Sequence, residues 1–179
     1  MQFIHKVHVS PEHSFSKSTV NEIHLIAGIG VEGDAHAGAT VKHRSRVAID
    51  PSTPNLRQVH LIPVETLKIL QEDGFTVQPG DLGENITTSG VDLYSLPVGT
   101  LLRIGVDVLI ALTGLRNPCQ QIEKFQDGLL KKCLPTDADG IIQRRAGVMA
   151  IVISGGAVRE GDEIITALPP LPHQELQRI

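Results

Sequence analysis

Cys119 is the side chain in this sequence best placed to react. It stands in Leu112-Thr113-Gly114-Leu115-Arg116-Asn117-Pro118-Cys119-Gln120-Gln121-Ile122, where an apolar run gives way to polar residues. A strand is expected to end near Leu112. A helix over 118 to about 134 follows, with Ile122, Phe125, Leu129 and Leu130 on one stripe and Gly128 as its weak point. Asn117 has an N-cap side chain, Pro118 suits the first helical position, and Asn117-x-x-Gln120 has the form of a capping box. Cys119 then falls in the first turn, where free N–H groups and the helix dipole favour a thiolate and Arg116 adds a fixed positive charge. Such a sulfur could attack, carry sulfur or bind a soft metal. The competing reading of Cys119 is a buried small hydrophobe, the common fate of a free cysteine. Cys133 lies at the far end of the same helix, where the dipole opposes a thiolate, and reads as structural.

A second cluster lies in Ala27-Gly28-Ile29-Gly30-Val31-Glu32-Gly33-Asp34-Ala35-His36-Ala37-Gly38, which contains G-x-G-x-x-G. A dinucleotide loop needs a strand before it and a helix opening within it. Residues 22–26 supply the strand, but 34–40 have no apolar stripe, so the nucleotide reading fails. A metal site would draw on Asp34, His36, His43 and His60, whose spacing matches no common ligand set; a metal-dependent hydrolase on Asp34 and His36 is the weakest alternative. The remaining reading is a tight loop in which glycines take positive φ and Asp34 binds local N–H groups, which could still present Asp34 and His36 to a pocket.

The elements that must position these groups are mostly strands. Alternating or β-branched runs occur at 3–9, 22–26, 59–62, 101–104, 108–112, 148–153 and 163–166, bounded by Gly, Pro, Asp or Asn. One further helix is expected over 63–74, with apolar residues at 64, 67 and 70, Pro63 at its start and Gly74 at its end. Many short strands with few helices predict a mainly β, α+β fold, a closed or nearly closed β-barrel with helices packed outside. The 179 residues suit one domain over 1–168, after which Pro169-Pro170-Leu171-Pro172 introduces a surface or mobile tail, 169–179. With no Trp, one Tyr and four Phe, the core must be aliphatic.

Composition excludes several functions. The net charge is −4 and no Lys/Arg block is long enough for a nucleic-acid footprint. The densest basic points, Lys42-His43-Arg44-Ser45-Arg46 and Arg144-Arg145, read first as solvated surface. No apolar run suits a spanning helix or a secretory leader, so no membrane partner and a cytoplasmic location with reduced thiols are expected.

Four stretches together carry a resemblance to a known family. They are Gly28-x-Gly30-x-x-Gly33-Asp34-x-His36-x-Gly38, the run Pro79-Gly80-Asp81-Leu82-Gly83-Glu84-Asn85-Ile86-Thr87-Thr88-Ser89-Gly90-Val91-Asp92-Leu93, Arg116-Asn117-Pro118-Cys119, and Ala146-Gly147-Val148 through Ser154-Gly155-Gly156 to Gly161-Asp162. The chain resembles MOSC domains, the module named for the C-terminal part of molybdenum-cofactor sulfurases, and in particular stand-alone bacterial members of the YiiM type. The resemblance implies a barrel-like β fold and a molybdenum cofactor (molybdopterin). Cys119 would be its metal ligand or a sulfur carrier. It implies sulfur transfer or reduction of an N-hydroxylated small molecule, or, alternatively, a non-catalytic module carrying persulfide or cofactor to a partner enzyme. The chain has no room for the pyridoxal-phosphate domain of larger relatives, so none of that cofactor is expected. Sulfur would come from a donor such as a cysteine desulfurase, and electrons from a donor protein. Arg116, with Arg57, Arg144 and Arg145, would hold the cofactor phosphate. Asp34, His36, Glu84, Asn85, Thr87 and Thr88 would line the pocket or move protons. On the residues alone, Gly83-Glu84-Asn85 also reads as a turn with Asn85 left-handed, Thr87 and Thr88 as plain strand residues, and His60 as a core histidine.

Overall fold

The computed structural model describes residues 1–42 and 47–179; His43 and the basic residues Arg44 and Arg46 lie outside them. β-Branched and aliphatic runs form β1 (Phe3–Val9), β2 (Ser18–Val20), β3 (Glu22–Ile26), β4 (Gly30–Val31), β5 (Val59–Pro63) and β6 (Ile86–Ser89). β7 (Leu101–Ile104), β8 (Val108–Leu115), β9 (Val148–Ser154), β10 (Gly156–Arg159) and β11 (Ile164–Ala167) follow. The expected helix 63–74 is α1 (Val64–Glu72), which buries Val64, Leu67 and Leu70 and stops before Gly74, at φ 93°. It makes the crossover between β5 and β6, which pair in parallel, as such a connection requires.

The strands do not close into a barrel. Eight lie in one sheet ordered β11-β7-β8-β9-β5-β6-β1-β2, and three in a second, β10-β3-β4, so β11 and β2 are open edges. The cause is at Gly155 and Gly156. A side chain at Gly155 would meet the Leu25 carbonyl at 2.4 Å, and through these glycines the chain leaves β9 to pair β10 with β3 in the second sheet. What joins β1 to the start of β11 is one isolated bridge, Phe3 to Glu163, rather than a ladder.

The principal core is aliphatic and includes Ile4, Val7, Leu25, Leu61, Ile86, Leu102, Ile110, Leu112, Val148 and Val152. A second cluster packs α1 and the segment after β8 against the sheet through Ile62, Leu67, Leu70, Leu82, Ile122, Leu129 and Cys133. The helix expected over 118–134 is two short pieces, α2 (Gln120–Phe125) and α3 (Leu129–Lys132), broken at Gly128, which is left-handed at φ 79°. β8 also runs three residues further than its apolar pattern predicts, with a register shift between Leu112 and Gly114. The tail is packed. Leu176 joins the principal core, and Val98 N–H donates to the Gln174 carbonyl at 2.8 Å. Among the described residues, no helix is long and apolar enough to cross a membrane.

Candidate functional site

The glycine loop is a backbone device. Gly30 sits at φ 118°, where a Cβ would lie 2.7 Å from the Gln58 carbonyl oxygen. Gln58 in turn clamps the loop to β9, donating to the Gly28 carbonyl at 3.0 Å and accepting from Val152 N–H at 2.9 Å. No helix opens within residues 27–42. Residues 32–39 form turns, and Asn55 ties them down by donating to the carbonyls of His36 and Gly38, both at 3.0 Å.

Asp34 is the hub of this loop. Its carboxylate accepts from His36 N–H at 3.0 Å, Ser10 N–H at 3.3 Å and Asn85 Nδ2 at 3.0 Å, lies 3.3 Å from His36 Nδ1, and pairs with the Lys17 ammonium. Burial pushes the Asp34 carboxyl up, but the His36 hydrogen bonds and the Lys17 charge outweigh it and hold the group far below the usual carboxylate range. Lys17 shows the cost of the same pair: burial lowers its ammonium despite the attraction of Asp34. With both side chains almost wholly buried, the pair gains less than its Coulomb attraction suggests.

Asn85 joins this loop to the sheet. Besides Asp34, it accepts from His60 N–H at 3.1 Å through Oδ1, and its main chain bonds to His8 and His60 at 2.8 Å each. It is not left-handed: among the described residues every positive φ belongs to glycine, and Gly83, at 83°, makes the turn. Glu84 points inward, accepting from Gly80 N–H at 2.7 Å and Thr87 Oγ1 at 3.1 Å, while Oε2 is buried without a partner. Burial raises the Glu84 carboxyl above its ordinary range. Thr87 continues to His8 Nε2 at 2.9 Å, and Thr88 is a buried strand residue.

Cys119 is one position outside the helix. It is the N-cap of α2, at φ −132° and ψ 171°, with Asn117 and Pro118 still extended. The reason is upstream: Arg116 N–H still donates to the Gly147 carbonyl of the β9 side, so the chain turns only after Pro118. The Cys119 thiol is half-buried and reaches Gln121 Oε1 at 3.6 Å. Arg116 is half-buried beside it, donating Nη1 to the Leu82 carbonyl at 2.5 Å with its guanidinium 5.7 Å from the centre of the Phe15 ring. Desolvation lowers its pKa, opposed by its acidic neighbours.

These elements enclose a cavity of about 870 Å³. Cys119, Arg116, Arg57, Asn85 and His36 of the expected site residues line it, together with His60. His60 is also a satisfied core histidine, with Nε2 2.8 Å from the Ala146 carbonyl, and burial lowers its pKa well below the ordinary value. Asp34, Glu84, Thr87 and Thr88 lie behind the wall. Arg144 and Arg145 lie elsewhere, beside a separate cavity of about 230 Å³ with Tyr94, whose ring carries the Arg145 guanidinium at 5.0 Å. Lys17, Lys42, Lys124 and Arg178 also line the large cavity. Lys42 opens the basic sequence stretch 42–46 that reads as solvated surface, and Lys17, Lys124 and Arg178 are single cations that no spacing in the sequence singles out. The described lining thus holds six Lys and Arg side chains and no Asp or Glu, in a chain of net charge −4, with Lys17 already paired to Asp34 behind the wall. No group of three metal-ligating side chains occurs among the described residues, and the Asp34 oxygens are already taken by neighbours.

A family model described as the MOSC domain matches residues 32–165. The YuaD protein from Bacillus subtilis has a similar crystal structure, with a TM-score of 0.75 at 26% identity over 95% of this chain and 98% of that one. YiiM from Geobacillus stearothermophilus shares the fold at a TM-score of 0.66 and 15% identity, over 98% of this chain and 80% of that one. YiiM from Escherichia coli does so at 0.60 and 21%, over 95% and 72%. No curated protein matches the sequence.

Proposed function

We propose, from the premise that this chain belongs to the MOSC domain family, a family linked to molybdenum-cofactor proteins, that its cationic cavity binds a molybdenum–pterin cofactor with the Cys119 sulfur as a ligand of the metal. The observation that carries this reading is the composition of the cavity wall. A thiol and six Lys and Arg side chains line one space, with no Asp or Glu among the described lining residues. Such a wall repels cations and selects a multiply anionic ligand that also offers a soft centre. The volume suits a ligand of cofactor size with room beside it.

Within this reading Arg116 supplies a guanidinium already oriented by the Leu82 carbonyl and Phe15, so little ordering is needed when it meets a phosphate oxygen. Arg57 is positioned by its neighbour Asn55, whose Oδ1 accepts from Arg57 N–H at 3.0 Å. Asn85 and Asp34 hold the walls in register. With Nδ1 of His36 held at Asp34, Nε2 is the ring position that exchanges a proton with a bound molecule. The proposed reaction is reduction of an N-hydroxylated small molecule, in which the N–O bond breaks, two electrons and two protons enter, and an N–H bond and water form. The cofactor supplies the two-electron redox chemistry when bound, and a donor protein supplies the electrons.

The test is metal and pterin analysis of protein from cofactor-competent cells, comparing wild type with Cys119→Ala. Loss of bound molybdenum in the variant supports the reading. Retention of cofactor with full activity overturns the role of the thiol. Stable persulfide on Cys119 after incubation with a cysteine desulfurase, with no cofactor bound and no turnover, would favour the carrier alternative.

A further inference from the structure

The tail beyond Pro172 forms part of the cavity. Leu115 N–H donates to the Gln177 carbonyl at 2.8 Å and Ile179 N–H donates to the Leu115 carbonyl at 3.3 Å. These two bonds make a parallel bridge between Leu115 and Arg178 at the last residue of β8, directly before Arg116. The Arg57 guanidinium donates to the main-chain oxygen of Ile179. Leu176 anchors the segment in the core, while Arg178 and Ile179 stand in the cavity wall. Gly114 makes room for it. A Cβ there would lie 2.6 Å from the Gln177 carbonyl and 2.6 Å and 3.0 Å from side-chain atoms of Ile179. All three nearest atoms belong to the tail, and Gly114 has an ordinary strand conformation, so the missing side chain serves this approach alone.

We propose that residues 174–179 are a strap that completes the anion site, bringing Arg178 into the wall, and that anion binding and strap docking reinforce each other. This rests on the reading of the cavity as an anion site and extends it to a segment that no family motif includes. The physical basis is linkage. A ligand that touches Arg178 binds the docked state better than the undocked one, so it must stabilise docking by the same factor.

Inorganic pyrophosphate is a suitable probe, with binding followed by calorimetry and strap docking by amide hydrogen exchange at Leu115 and Ile179. In the wild type, saturating pyrophosphate slows exchange at both amides by about fivefold or more. Gly114→Ala, which evicts the strap without altering a charge, and Arg178→Ala, which leaves the core intact, each weaken pyrophosphate binding by about five- to tenfold. The double variant binds no worse than either single variant, because both remove the same contact. Additive losses, or binding without added protection of the two amides, overturn the strap and leave the anion site standing. A wild type that does not bind pyrophosphate overturns both. Should Gly114→Ala fail to fold, Arg178→Ala and the wild-type exchange decide the matter.

Discussion

Acidification is expected to unfold this protein through a histidine that does not itself line the cavity. His8 is fully buried in β1, with Nδ1 3.0 Å from Thr19 Oγ1 and Nε2 2.9 Å from Thr87 Oγ1. Because Thr87 donates onward to Glu84, it accepts from His8 Nε2, and Nδ1 is left as an acceptor for Thr19. Burial first, then the nearby charges of His5, Lys17 and Lys6, lower the His8 pKa from 6.5 to about 4. Between these values the unfolded chain binds more protons than the folded one, so stability is present above pH 6.5 and lost as the pH falls toward 4. At about 1.4 kcal/mol for each pH unit, the loss from His8 is about 3 kcal/mol by pH 4. His60 contributes with the same sign and Glu84 with the opposite one, since a raised carboxyl takes up its proton sooner in the folded state. The His8 share is therefore isolated by comparison with His8→Gln. Urea denaturation from pH 7.5 to 4 should give a wild-type curve about 3 kcal/mol steeper than the variant's, whatever their offset at neutral pH. Parallel curves refute the reasoning.

Asp34→Asn leaves the Lys17 ammonium buried without its carboxylate and should cost roughly 3–5 kcal/mol at pH 7, read by chemical denaturation; adding Lys17→Met should recover much of it. Gly30→Ala places a side chain at φ 118° against the Gln58 carbonyl, with an expected loss of about 2–4 kcal/mol and a lowered Tm. Iodoacetamide at pH 8 should label Cys119 alone in the native protein. Cys133 is fully buried, its thiol is pushed up to about 11, and it should react only on unfolding. Equal labelling of the two, read by mass spectrometry, would contradict their placement.

The strands were legible where β-branched residues run between breakers, as in β1, β3 and β7, and α1 where apolar residues recur at 64, 67 and 70. β2 and β4 have three and two residues, too few for a period to show, and β6 and β10 owe their pairing to β1 and β3, distant in sequence. Closure was not legible either, because the alternation of an inward face is the same in an open sheet and a barrel. What differs is the glycine corner that takes β10 into another sheet. Around Cys119 the residue types and their order pointed to a site, but not its start. An N-cap and a first-turn position differ by one residue, and the long-range bond from Arg116 to Gly147 decides between them. Side-chain direction was hidden as well. Glu84 and Thr87 stand in one run with Asn85, yet they bond to each other behind the wall while Asn85 reaches it. Arg145 is drawn away by Tyr94. Lys17 and Arg178 become part of the site only when the sheet brings both chain ends to β8 and β6.

The central claim is that Cys119 binds molybdenum within this cationic cavity. It is tested most directly by molybdenum X-ray absorption on protein purified from cofactor-competent cells, wild type beside Cys119→Ser. The account predicts bound molybdenum in the wild type with one sulfur neighbour that the variant lacks. Identical sulfur coordination in the two proteins would contradict it.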